Sequence, residues 1–138
     1  KFHPSGSLGS KLKTVEDLML TKDRIPFINE NSDMKEALKI ITQKKLGTLL
    51  VRNNKGITTG IITDGTIRRA NQNNQDLQRL PVKVIMTKNP INIDKEMLAE
   101  KALALMNHKK ITSLCVNNNR NKTIGILHIH NILDAKIQ

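Results

Sequence analysis

The sequence predicts a mixed α/β fold of the α+β kind, in which two related β-α-β-β-α subdomains pack as one pseudo-twofold pair. Three observations predict it. Gly60-Ile61-Ile62-Thr63 returns as Gly125-Ile126-Leu127-His128, 65 residues on, and Leu46-Gly47-Thr48-Leu49-Leu50-Val51 matches Ile111-Thr112-Ser113-Leu114-Cys115-Val116 at the same offset. A repeat at a fixed period marks one supersecondary unit used more than once. Met34, Ala37, Leu38 and Ile41 follow the i, i+3, i+4, i+7 spacing of an amphipathic helix, and Ala99, Ala102, Leu103 and Met106 reproduce that stripe at the same offset. Each stripe is followed by an apolar run, an Asn-rich turn and a second apolar run, the pattern of a β-hairpin. A unit of about 60 residues buries little surface alone, so two copies are expected to share a core, with a ligand in the groove between them.

The elements follow in order. Residues 1–13, containing Gly and Ser, read as a tail or linker from a preceding domain. Residues 14–20 form a short helix with Val15, Leu18 and Met19 on one side, and its five-residue core is echoed, two residues out of step, by Val82-Lys83-Val84-Ile85-Met86. Residues 25–28 are extended, with Pro26 favouring an edge. Asp33 and Glu36 have capping-box spacing ahead of the first amphipathic helix, and Gly47 ends it. Residues 48–51 form a buried strand and 57–63 the returning strand. Asp64-Gly65-Thr66 then opens a helix carrying Ile67, Arg68 and Arg69. In the second copy the returning strand is expected over 123–129 and the last helix over 130–136. These elements divide the chain into a first subdomain at 14–71, a connector at 72–81 and a second subdomain at 82–138.

Composition narrows the function classes. The 138 residues hold no Trp or Tyr, so the core must be aliphatic. No apolar run approaches the ~18 residues of a membrane span, so no membrane partner is expected. Lys1-Phe2-His3, with no initiating Met and no signal-peptide pattern, reads as a cut from a longer chain. The single cysteine, Cys115, lies in an apolar run and reads as a small core residue; its solitude suits a reducing cytoplasm. The formal charge of +11 would attract anions at long range. The cationic residues are dispersed, however, and Phe2 and Phe27 are the only aromatics beside the histidines, too few for base stacking. A solvated basic surface is the reading preferred to nucleic-acid binding.

These segments together resemble a tandem cystathionine-β-synthase-type (CBS) domain pair. The resemblance rests on Val15-Glu16-Asp17-Leu18-Met19, Leu46–Val51 and Gly60-Ile61-Ile62-Thr63-Asp64-Gly65-Thr66, with their second-copy partners Val84-Ile85-Met86-Thr87 and Gly125-Ile126-Leu127-His128-Ile129-His130-Asn131. A narrower resemblance, to arabinose-5-phosphate isomerases, is carried by three segments. His3-Pro4-Ser5-Gly6-Ser7-Leu8-Gly9 is similar to their HPGGxLG segment, Ile62–Arg69 to TDGDLRR, and Leu127–Leu133 to LHMHDLL. It implies a regulatory and oligomerisation module of an enzyme interconverting ribulose 5-phosphate and arabinose 5-phosphate for Kdo and lipopolysaccharide synthesis. It also implies a homodimer of the pair and a tetramer of the intact enzyme, with apolar positions on the 15–19 and 67–70 helices as the contact. The isomerase domain is not in these residues; His3 alone matches a segment tied to catalysis, so no turnover is expected from the chain itself.

In CBS pairs a Thr or Ser after the Gly-apolar-apolar run, and an Asp three residues later, commonly hold the phosphate and ribose of a nucleotide. Here Thr63 matches, but Thr66 stands at the Asp position, and the second copy has His128 and Asn131. Hydroxyl and amide groups are weaker acceptors for paired sugar hydroxyls than a carboxylate. What remains favours an anion: Thr63, the amides at Asp64-Gly65, Arg68 and Arg69, and the imidazoles of His128 and His130, two apart at a strand end and so on one face. Those imidazoles can donate to an anion or ligate a metal, but a metal needs a further ligand that is not visibly placed, so neither metal nor cofactor is expected. Thr48, Thr112 and Ser113 either line the same site or satisfy backbone groups at strand starts. The subfamily resemblance points to an anionic nucleotide or sugar nucleotide, such as CMP-Kdo. Two other classes stay open: a purely structural module, and a nucleic-acid-binding domain.

Overall fold

The computed structural model describes residues 12–73 and 76–137. Its elements are α1 (Val15–Leu18), β1 (Phe27–Asn29), α2 (Met34–Lys44), β2 (Thr48–Arg52), β3 (Thr58–Thr63), α3 (Asp64–Asn73), α4 (Val82–Ile85), β4 (Thr87–Lys88), β5 (Asn92–Ile93), α5 (Ala99–Lys109), β6 (Ser113–Asn117), β7 (Thr123–His128) and α6 (Ile129–Ile137). Short 3-10 turns lie at Lys22–Arg24 and Leu77–Arg79. The fold is mixed α/β, with the β-α-β-β-α order twice.

The chain forms two compact units, residues 25–90 and the described part of 1–24 with 91–138. In unit 25–90 a four-stranded sheet runs β1-β2-β3-β4, with β1 parallel to β2 and the other pairs antiparallel. Its core includes Met34, Ala37, Leu49, Val51, Ile62 and Val82, all fully buried. The stripe read from the sequence explains the α2 contribution, and Asp33 caps that helix by accepting the Glu36 N–H at 3.0 Å. The C-cap Lys45 is left-handed at φ 58°, so the helix ends before Gly47. The other unit repeats the plan as β5-β6-β7, with a core that includes Val15, Ala102, Met106, Leu114, Val116 and Leu127.

Register is conserved between the copies. Thr48 faces Thr63 and Ser113 faces His128, and both hairpins shift register at equivalent places, Val51/Arg52 and Val116/Asn117. The backbone links to the short helices also repeat. Val82 N donates to Ser32 O at 2.7 Å and Val15 N to Met97 O at 2.8 Å; Met34 N donates to Leu80 O and Ala99 N to Lys13 O, both at 2.9 Å.

Those links show why the compact units are interleaved along the chain. Helix α4 and the segment after it pack with the first hairpin, and α1 packs with the second. The glycines give the physical reason. A Cβ on Gly60 would sit 2.7 Å from Met86 Cγ and 3.0 Å from Thr87 O, and one on Gly125 would sit 2.9 Å from Met19 Cγ and 3.1 Å from Leu20 O. Each Met therefore lies across a bare backbone, followed by a strand-like segment. Thr87 and Lys88 pair with Ile61 and Gly60, while Leu20 and Ile126 exchange backbone hydrogen bonds at 2.9 and 3.0 Å.

The apolar positions expected to remain exposed for dimerisation are part of these cores. Val15 is fully buried, Ala70 is buried, and Leu18, Met19 and Ile67 are partly buried against the clusters. The large apolar side chains most exposed among the described residues are instead Val84 (64%) and Leu12 (63%).

Candidate functional site

Each unit carries a polar cluster where its returning strand turns into the following helix. In unit 25–90 this junction is a closed hydroxyl ring. Thr63 N–H donates to Thr66 Oγ1 at 3.1 Å and Thr66 N–H donates to Thr63 Oγ1 at 3.3 Å. This is the reciprocal logic of a capping box, with Thr in place of the usual acid. The two hydroxyls lie 3.1 Å apart, and Thr66 Oγ1 is 3.5 Å from Thr87 Oγ1, on the segment after α4. Thr48 is buried on β2 directly opposite Thr63.

The arginines of α3 reach back over this turn. A Cβ on Gly65 would meet Arg69 Nη1 at 3.3 Å, Thr63 Oγ1 at 3.6 Å and Arg68 Nη2 at 3.7 Å. Both guanidinium groups and a hydroxyl therefore gather above a residue with no side chain, a donor set suited to phosphate or carboxylate. Asp64 is exposed and points elsewhere: its Oδ2 lies 3.0 Å from where a Cβ of Gly47 would be, and Gly47 has φ 74°. Thr63, Arg68 and the Asp64-Gly65 backbone thus come together, while the Asp64 carboxylate lies beside Gly47.

The second junction keeps the geometry and changes the chemistry. Asn131 Oδ1 accepts the His128 N–H at 2.8 Å, as Thr66 does for Thr63. His128 Nδ1 accepts the His130 N–H at 3.2 Å. His128 is 8% exposed and faces the buried Ser113 across the hairpin. Its ring stacks on His130 with centroids 4.9 Å apart and planes 23° from parallel. Burial, and then the neighbouring His130, hold the His128 imidazole below its usual range. With Nδ1 an acceptor, the neutral ring carries its proton on Nε2 and offers a donor there.

The expectation that both imidazoles share a strand face is corrected here. The strand ends at His128, and His130 is the second residue of α6, exposed to solvent. The rings meet by stacking around the turn. Thr112 precedes β6 and is exposed; its carbonyl accepts the Ile129 N–H at 2.8 Å. His3 lies outside the described residues. The doubled arginine of the sequence marks both Arg68 and Arg69, whereas Thr87 carries no sequence signal and joins the ring only through the packing of α4.

Burial pushes the Cys115 thiol up to about 12, in keeping with a core residue. Among the described residues no three His, Cys, Asp or Glu side chains gather as a metal set. No helix there is long and apolar enough to cross a membrane.

The CBS domain family model matches the chain twice, at residues 15–73 and 77–137. The chain belongs to the CBS domain family. This CBS pair is 38% identical over 136 residues to the Uncharacterized protein RP505 of Rickettsia prowazekii, covering 99% of the chain and 42% of that protein. It is 36% identical over 136 residues to Arabinose 5-phosphate isomerase KdsD of Escherichia coli O6:H1, covering 98% of the chain and 41% of that protein. The chain therefore spans about two fifths of the length of these relatives. The crystal structure of CBSX2 in complex with AMP superposes with a TM-score of 0.81 at 24% identity, over 91% of this chain and 96% of that one. At that identity the likeness is one of fold.

Proposed function

We propose that this CBS pair is the ligand-sensing part of an arabinose-5-phosphate isomerase, and that it binds an anionic nucleotide or sugar nucleotide such as CMP-Kdo. The observation that carries the ligand class is the gathering of Thr63, Arg68 and Arg69 around Gly65. Two guanidinium groups over an open backbone favour a phosphate or carboxylate. Likeness to KdsD along nearly the whole chain supports the parent enzyme. The chain itself is read as non-catalytic: aldose–ketose isomerisation needs a positioned acid and base, and His3 is a candidate only within the intact enzyme. The proposal includes a cytoplasmic setting, a homodimer of the pair and a tetramer of the parent.

CBSX2 has been crystallised with AMP. Plain adenine nucleotides are disfavoured for this chain, because Thr66 and Asn131 replace the carboxylates that would take ribose hydroxyls. Their oxygens already accept the strand-end N–H groups. That same observation favours a second reading, a structural module with no ligand.

A dye-based thermal-shift series against AMP, ATP, CMP, CMP-Kdo and arabinose 5-phosphate separates these readings. A ligand at about 100 times its Kd adds about 2.7 kcal/mol of stability. A rise with CMP-Kdo that is lost in Arg68→Ala/Arg69→Ala supports the sensor. A rise with AMP or ATP and none with CMP-Kdo overturns the ligand assignment. A flat response with an intact dimer by light scattering establishes the structural module. Regulation further requires the ligand to prefer one arrangement of the enzyme, so CMP-Kdo must also change the turnover of the full-length isomerase.

A further inference from the structure

Both strand-to-helix junctions close the strand-end N–H on the side chain three residues on. The return bond comes from Thr66 in one and from His130 in the other, and only the second depends on a titratable acceptor. At 63–66 the acceptors are hydroxyls, whose charge does not change near neutral pH. At 128–131 the acceptor for the His130 N–H is an imidazole nitrogen, His128 Nδ1, which accepts only while unprotonated. A proton on Nδ1 would set a donor against a donor. It would also place a positive charge in the first turn of α6, at the positive end of the helix dipole, beside the stacked ring of His130. All three consequences oppose the closed junction, and the ring is too buried for water to relieve them.

Among the described residues no acid is seen to offset this. β6 places Ser113 opposite His128. Helix α1 and the turn after it carry Glu16, Asp17, Lys22, Asp23 and Arg24; α5 carries Glu100, Lys101, His108 and Lys109; α6 carries Asp134. All of these are exposed. The electrostatic influence on His128, beside burial, comes from His130.

We propose that the second junction is a proton-operated release. On acidification His128 takes a proton at Nδ1, the His130 N–H loses its acceptor, and the first turn of α6 opens while the hydroxyl-built junction of α3 stays closed. The pair would thereby carry one pH-insensitive and one pH-sensitive strand end, a property of the chain independent of which ligand it binds.

The test is nitrogen NMR on the whole chain between pH 7.5 and 5.0, reading the imidazole nitrogens of His128 and the amide exchange of His130, with the Thr66 amide as internal reference. At pH 7.5 His128 is expected as the neutral tautomer protonated on Nε2. By pH 5.0 exchange at His130, corrected for intrinsic chemistry, is expected to rise several-fold relative to Thr66, in step with charging of the His128 ring. His128→Thr, which copies the first junction, should abolish that rise. His130→Ala, which keeps the amide and removes the second imidazole, should move the opening to higher pH. A His128 ring already charged at pH 7.5, a His130/Thr66 exchange ratio constant across the range, or an opening in His130→Ala unmoved or shifted to lower pH would each overturn the proposal. The measurements on the unmodified chain decide the matter if His128→Thr fails to fold.

Discussion

Unit 25–90 and the unit built from 12–24 with 91–137 share a backbone plan and differ in polar chemistry. Strand register, hairpin bulges, the left-handed residues Lys45 and Lys110, and the glycines under Met86 and Met19 all recur. At the strand ends, however, Thr63, Thr66 and Thr87 with two arginines in one unit stand against His128, His130 and Asn131 in the other. The difference teaches that the repeat keeps the hydrogen bond that closes each strand-end N–H, while the groups making it and the return bond are free to change. A hydroxyl, a carboxamide and an imidazole all satisfy a helix N-terminus. They do not offer a ligand the same partners.

The largest expected effect breaks the comparison at the core. Leu49→Ala and Leu114→Ala remove equivalent, essentially fully buried side chains, and each should cost about 2–5 kcal/mol in denaturant unfolding. A loss confined to one unit would mean that the matched backbone does not carry matched stability. Next are Gly60→Ala and Gly125→Ala. The new Cβ meets a flexible Met side chain but also the fixed carbonyl of Thr87 or Leu20, so each should cost about 1–3 kcal/mol by the same measurement.

Smaller effects sharpen the comparison at the junctions. Thr66→Val and Asn131→Leu each leave a strand-end N–H without its acceptor, and each should cost about 1 kcal/mol, the usual worth of a capping group. The smallest effect should separate the units by pH. His128 is held below its usual range in the folded unit, so the unfolded chain binds the proton first as pH falls through about 6.5. Stability contributed at this site is therefore complete above that pH and declines below it. Unfolding midpoints measured at pH 7.5 and 5.5 should show this decline in the native chain and less of it in His128→Thr.

Much of the fold was legible because its signals are local. The stripes of α2 and α5 and the two hairpins follow from spacing, and the 65-residue offset transfers the register from one copy to the other. The partners of α1 and α4 were not legible. Val15-Glu16-Asp17-Leu18-Met19 says that a helix forms, but four residues set no preference for one hairpin over another. Only the fit of Met19 across Gly125, distant in sequence, decides it. For the same reason Val15 and Ile67, apolar on short helices, looked available for a dimer contact and are instead packed. At the site, Thr63 and Arg68 came from the pattern itself. The stacking of His130 on His128 depends on where the strand stops: it ends at His128, one residue before the expected boundary, and the chain turns into α6 between the two rings.

The proposed ligand of this pair is an anionic sugar nucleotide and not a plain adenine nucleotide. Calorimetric titration of CMP-Kdo and, separately, AMP into the chain tests it most directly. Saturable heat with CMP-Kdo, diminished in Arg68→Ala/Arg69→Ala, and no saturable heat with AMP is the predicted result. Saturable AMP binding with none for CMP-Kdo would contradict it.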